Sequence, residues 1–226
     1  MTALLTDVLA ARAYPGRGCV VLRTSADEVW CAYFLTGRSE ASRARALQQQ
    51  PDGDVLVVNT ASDEHDALRH YTAVATRGDW TVVGNGDQVV PLAEALAGGA
   101  TTAVAWSRHT FEPDPPIWTP RIWLARHSSG RVLAGAVHRG AAGAPEHLEH
   151  LVELARPGQA LLLTTYDGAV TEVTPSAVPT PCLLDVANGE GLADQVWSAL
   201  DPGLRVGLLA ARLDDRSSGR LFRTPA

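Results

Sequence analysis

Alternating apolar and polar positions divide this chain into paired strand-like runs with few helices between them. Cys19–Arg23 and Val29–Leu35 flank a Ser25-Ala26-Asp27 turn, and Leu68–Ala75 and Trp80–Val83 flank Arg77-Gly78-Asp79. Ile122–Arg126 and Val132–Val137 enclose Ser128-Ser129-Gly130, and Leu204–Leu213 and Arg220–Arg223 enclose Ser217-Ser218-Gly219. Ala160–Tyr166 and Val170–Val173 surround Asp167-Gly168, a dipeptide favoured in tight hairpins. Helical spacing occupies Thr2–Ala13, with shorter stretches near Pro91–Leu96, Pro145–Ala155 and Leu192–Leu200. Hairpins separated by single helices predict an α+β fold of two stacked, mainly antiparallel sheets flanked by helices. Ala169–Pro181 is rich in proline and threonine but too short for a linker, so one domain over 1–226 is expected.

Composition narrows the chemistry. All nineteen basic residues are arginine, which excludes a lysine Schiff base and a phosphate-loop lysine. A net charge of -6 argues against a nucleic-acid partner, and no apolar run reaches the ~18 residues that span a bilayer. Cys19, Cys31 and Cys182 have no metal spacing and fit a reducing, cytoplasmic setting, and no secretory leader is evident.

Polar signatures recur where predicted strands end. Tyr14-Pro15-Gly16-Arg17-Gly18 enters the first strand, and Gly37-Arg38-Ser39, followed by Arg43 and Arg45, leaves the second. Arginine forks match phosphate and carboxylate oxygens in pairs, although Glu40–Ala46 also reads as a solvated helix. Asn85-Gly86-Asp87-Gln88 reads as a turn whose amides can address a carboxamide or heterocycle edge. Glu112-Pro113-Asp114-Pro115-Pro116, running into Trp118-Thr119-Pro120-Arg121, is a stiff loop that restrains its carboxylates. His147 and His150, three apart on the expected helix at Pro145–Ala155, lack a third metal ligand.

Together these segments resemble the stand-alone IMP cyclohydrolase family. Tyr14–Gly18, Ala32-Tyr33-Phe34 with Gly37–Ser39 and Ser42-Arg43, Asn85–Gln88 and Glu112–Ile122 carry the likeness, with Thr165-Tyr166 in the second half. Tyr71 falls at the family's position, fourteen residues before Asn85. The resemblance implies a four-layer αββα fold like that of N-terminal-nucleophile hydrolases. It also implies closure of 5-formamidoimidazole-4-carboxamide ribonucleotide to inosine monophosphate in purine biosynthesis, with no metal or cofactor. On that footing Glu112, Tyr71 and Arg38 are the catalytic candidates. Arg17, Arg43, Asn85, Asp87 and Arg121 are the substrate-binding ones. The only partner implied is the nucleotide, with room for a homo-oligomer.

Three positions depart from the family pattern: Val89-Val90 stand where Thr-Asp is expected, and Ala75 where an arginine is expected. A diverged member acting on another purine or imidazole nucleotide, or only binding one, is therefore an alternative. A different class of enzyme, with Cys19 as a nucleophile exposed by cleavage after Gly18, is a further one.

Overall fold

The computed structural model describes residues 2–61, 66, 68–215 and 217–225. Helix α1 (Leu5–Ala11) leads into β1 (Arg17–Arg23) and β2 (Val29–Thr36), then α2 (Glu40–Arg43), β3 (Arg45–Gln49) and β4 (Val55–Asn59). Next come β5 (Tyr71–Arg77), β6 (Trp80–Gly84), α3 (Val89–Ala97), α4 (Thr102–Trp106), β7 (Arg121–His127) and β8 (Val132–Arg139). The second half contains β9 (Pro145–Leu151), β10 (Gln159–Thr164), β11 (Tyr166–Gly168), β12 (Val173–Pro175) and β13 (Thr180–Leu183). It closes with α5 (Gly189–Ala199), β14 (Arg205–Arg212) and β15 (Leu221–Arg223).

The strands form a six-stranded sheet in the order β13-β10-β1-β2-β14-β15 and a seven-stranded meander from β3 to β9, with β11 and β12 as a separate ribbon. All pairings between these strands are antiparallel. The central strands are apolar on both faces, which an antiparallel strand tolerates only when both faces are covered. In β1 and β2, Cys19, Val21, Tyr33 and Leu35 enter a core shared with Val57, Tyr71, Ile122 and Leu124 of the other sheet. Val20, Leu22, Ala32 and Phe34 instead meet α1 and α5. On the seven-stranded sheet, Val82, Trp123 and Leu133 pack with Leu92 and Leu96 of α3 and Trp106 of α4. Each fully buried side chain of Leu size adds about 1.5–3 kcal/mol, so three cores dominate the stabilisation.

Three expectations are corrected. Pro145–Ala155 is not a helix: β9 pairs with β8 from Leu133↔Leu151 to Arg139↔Pro145. The Gly140–Ala144 turn, with Gly143 at φ +81°, returns the chain alongside β8, and sheet pairing overrides the helical spacing. Asp167-Gly168 is not a turn either, because it lies within β11 opposite Thr174 and Val173. The chain leaves β10 at Thr165, whose N–H donates to Arg17 O at 2.9 Å and whose hydroxyl accepts from Arg17 N at 3.0 Å. Helix α2 stops at Arg43, since Arg45 already begins β3. No helix among the described residues is long and apolar enough to cross a membrane.

Candidate functional site

Arg17 is the first residue of β1, and Glu112 lies on the proline loop between α4 and β7. Their side chains meet end to end. Arg17 Nη1 lies 2.9 Å from Glu112 Oε1, and Nη2 donates to Oε2 at 2.9 Å. Both residues are buried, at 6% and 2% exposure. Asn85, fully buried after β6, donates its Nδ2 to Glu112 Oε1 at 3.3 Å and to Pro120 O at 3.0 Å, while its Oδ1 accepts from Ile122 N at 2.6 Å. These bonds fix the orientation of the amide.

The loop holding Glu112 is closed on itself. Glu112 N donates to Thr119 O at 2.8 Å, and Asp114 Oδ1 accepts from Thr119 N at 2.7 Å. Thr119 Oγ1 lies 2.5 Å from both Asp114 Oδ2 and Tyr166 OH, so the loop is tied to β11. Tyr166 stacks on Tyr14 with ring centroids 5.5 Å apart. Gly16, between Tyr14 and Arg17, has φ +72°, and a Cβ there would stand 2.3 Å from Thr165 Oγ1. Glycine is required on both counts.

The electrostatics of the pair are asymmetric. Burial pushes the Glu112 carboxyl above its usual value, against the opposing pull of Arg17 and Arg121. Burial also works against charge on Arg17, but the field of Glu112 outweighs it and holds the guanidinium cationic, with the Tyr71, Tyr166 and Tyr33 phenols close by. Burial likewise pushes the Tyr33 and Tyr166 phenols up. Glu112 is thus a carboxyl poised nearer to proton exchange than a surface glutamate, beside a permanent cation.

The pair borders a cleft of about 170 Å³, lined also by Tyr14, Thr36, Arg38, Ser39, Ser42, Arg69, Asp114 and Tyr166. Arg38 is exposed on its rim, 5.9 Å above the Tyr14 ring, with Nη1 donating to Val170 O at 3.3 Å. Two larger cavities, about 470 and 440 Å³, lie along Pro116–Trp118 and between β9 and β13. Neither contains Arg17 or Glu112, and the small cleft is where charge and burial converge.

The remaining candidates are distributed differently. Tyr71 OH lies 2.8 Å from Tyr33 OH in the shared core and does not line the cleft. Arg121 donates Nη1 to Gln88 Oε1 at 2.9 Å and pairs with the exposed Asp87, so these residues interlock beneath Asn85. Gly86 passes against that guanidinium at φ +124°, a site where a side chain would collide. Arg43 is exposed, donates to Arg38 O, and does not reach the cleft. Arg45 also lines the cleft, but it is buried and donates to Thr36 O and Ser42 O. Arg69 and Thr36 reach the cleft without having been singled out, and Tyr14 reaches it from a segment already marked as a signature. Tyr14 was the legible one, as the aromatic that opens the Gly16-Arg17 turn.

Ala75, Val89 and Val90 all belong to the core under α3 and α4, with Val90 only partly buried there. A register shift between β4 and β5 turns Ala75 to that face while Tyr71 and Ala73 face the shared core. Cys19 is completely buried within β1, and burial, then Cys31, pushes its thiol far up. That opposes thiolate formation and any role as an exposed nucleophile. His147 and His150 stand at odd spacing on β9 and so project from opposite faces, and no cluster able to hold a metal occurs among the described residues.

Fold and cluster define an α+β protein whose small cleft sets fixed positive charge against a buried carboxylate. The chain belongs to the IMP cyclohydrolase-like protein family, which it matches over residues 14–217. That span includes every residue of the cluster. No curated protein matches the chain.

Proposed function

We propose that this protein closes 5-formamidoimidazole-4-carboxamide ribonucleotide to inosine monophosphate. The observation that carries the reading is the buried, doubly bonded Arg17–Glu112 pair at the edge of the arginine-lined cleft. The carboxamide nitrogen attacks the formyl carbon, forming a C–N bond while that nitrogen loses a proton and the formyl oxygen gains one. The resulting carbinol then expels its hydroxyl as water, and the former formamido nitrogen gives up its proton as the C=N bond forms.

Each step needs a positioned proton acceptor or donor. Glu112 accepts the carboxamide proton, which its burial-raised affinity for protons favours. Arg17 and the phenols around it supply donors toward the oxygen as negative charge grows there. Tyr71 is the donor the family likeness implies, and Tyr166, which lines the cleft, is the phenol nearer the opening. Asn85 orients the carboxamide end through Glu112. Arg38 suits the ribose phosphate better than the reacting carbon, because it sits exposed on the rim with the Ser39 and Ser42 hydroxyls nearby. Arg121, paired with Asp87, supports Asn85 through Gln88.

The three cores fit the four-layer αββα arrangement of N-terminal-nucleophile hydrolases, and a single domain is the simplest reading of a core shared by both sheets. The departures lie outside the cleft, Val89 and Val90 in α3 and Ala75 on the sheet face beneath it, so they give no reason to redirect the substrate. The test is an ultraviolet assay of purified protein with the formamido ribonucleotide, the product being identified by chromatography. Inosine monophosphate formed well above the uncatalysed rate, and lost in Glu112→Gln, is expected. A protein that binds the nucleotide without converting it overturns the assignment.

A further inference from the structure

Among the described residues, the outer strands of the two large sheets leave one edge long and open. β15 spans only Leu221–Arg223, and β13 is covered by the N-terminal segment through Leu183 N–H to Ala3 O and the Leu4↔Leu183 bridge. β3 lies against β14, with Leu47 beside Gly207. Among the described residues β9 pairs on one side only, with β8. Val152 N–H donates to Val132 O and Ala144 O accepts from Gly140 N–H, so even-numbered residues address β8. His147, Glu149 and Leu151 therefore turn their main-chain N–H and C=O groups away from the sheet.

An open edge is normally protected by charge. Here the charges match their own reversed copy. β9 reads Pro-Glu-His-Leu-Glu-His-Leu. Laid antiparallel on itself about Leu148, it sets Glu146 opposite His150 and His147 opposite Glu149, and no glutamate faces a glutamate. The same register puts the outward groups of His147 against those of Glu149, which is what an antiparallel ladder requires. Leu151, 60% exposed, comes opposite Pro145, the residue that lacks an N–H and ends the ladder. His147 and Glu149 are already held in place: His147 Nε2 donates to His109 O at 2.8 Å, and Glu149 Oε1 accepts from Thr102 at 2.7 Å.

We propose that β9 is a homodimerisation edge, on which a second copy of this chain adds its own β9 antiparallel about Leu148 and continues the seven-stranded sheet across a two-fold axis. The area is below that of a standard interface, so dissociation falls on the order of micromolar.

Sedimentation equilibrium over the micromolar range tests it. The native chain is expected to move from 24.0 kDa toward twice that mass with concentration. His147→Glu sets glutamate against Glu149 at both symmetric positions and weakens the dimer by about tenfold or more. Adding Glu149→His to it restores opposite partners and the dimer. Glu149→Pro removes an outward N–H that β8 does not use, and leaves a monomer with an unchanged circular-dichroism spectrum. A native monomer at every concentration overturns the proposal. So does a dimer indifferent to His147→Glu and Glu149→Pro, which places the contact elsewhere.

Discussion

Arg17 and Arg77 each grip both oxygens of a carboxylate with two guanidinium nitrogens, and of these two pairs the one that belongs to a cleft is Arg17–Glu112. Arg77 donates to Asp54 Oδ1 at 3.0 Å and to Oδ2 at 2.9 Å, the same two-point pairing at the same distances as Arg17–Glu112 to within 0.1 Å. Asp54 also accepts from Thr76 N, so its pair ties the β4 entrance to the end of β5. The Arg77 side chain keeps 30% of its surface in solvent, whereas those of Arg17 and Glu112 keep 8% and 3%. Bonding alone does not distinguish a brace from a reactive pair. Burial of both partners, phenols around the cation and an adjoining cleft do.

The largest expected effect separates the pairs directly. On the proposed reaction Glu112→Gln removes the proton acceptor while keeping its shape, and turnover falls by about 10²–10⁴-fold. Asp54→Asn loses charge-assisted hydrogen bonds, lowers stability by about 1–3 kcal/mol, and leaves the turnover of folded protein unchanged. Denaturant melts and steady-state rates on both variants check this. Equal losses of rate would erase the distinction.

A second outcome sharpens it on the stability side. Glu112→Ala, which removes the carboxyl and both of its hydrogen bonds, strands Arg17 as an uncompensated buried cation, at a cost of about 3–5 kcal/mol. Replacing both, with Arg17→Met and Glu112→Leu, removes the buried charges together, and most of that stability returns while turnover stays lost. Chemical denaturation of single and double variants provides the measurement. A double variant as unstable as the single one would mean that the pair holds the fold, as Arg77–Asp54 does.

The hairpins β1–β2, β5–β6, β7–β8 and β14–β15 were legible because a turn signal sits between two apolar runs. β9 was not, since glutamate, histidine and leucine recurring every third residue imitate a helix face until β8 is known to lie beside it. Arg17, Asn85 and Glu112 stood out individually as polar residues where strands begin or end. Their meeting did not, because Arg17 and Glu112 are 95 residues apart and no local pattern encodes that contact. Tyr33 reads as ordinary core, and only its hydroxyl contact with Tyr71 marks it as part of the polar cluster. Ala75 looked like a loss from the site until the β4–β5 register shift put it on the α3 side, and Val89 until it proved to be the first, buried residue of α3 itself.

The smallest expected effect uses pH. Burial raises Glu112 above its usual value of 4.5, so folding favours the protonated carboxyl. Its contribution to stability is therefore complete below about pH 4.5 and is lost as pH rises through the raised value. Catalysis on the proposed reaction needs the opposite form, so activity rises with pH over the same interval. The acidic limb of kcat/KM should lie above the range of a surface glutamate. Arg121 is one of the two cations that hold Glu112 down, and Arg121→Gln should displace that limb further upward by a fraction of a pH unit. Asp54→Asn, remote from this carboxyl, should leave it in place. A limb that moves downward in Arg121→Gln, or moves equally in both variants, would show that the rate-controlling ionisation is not that of Glu112.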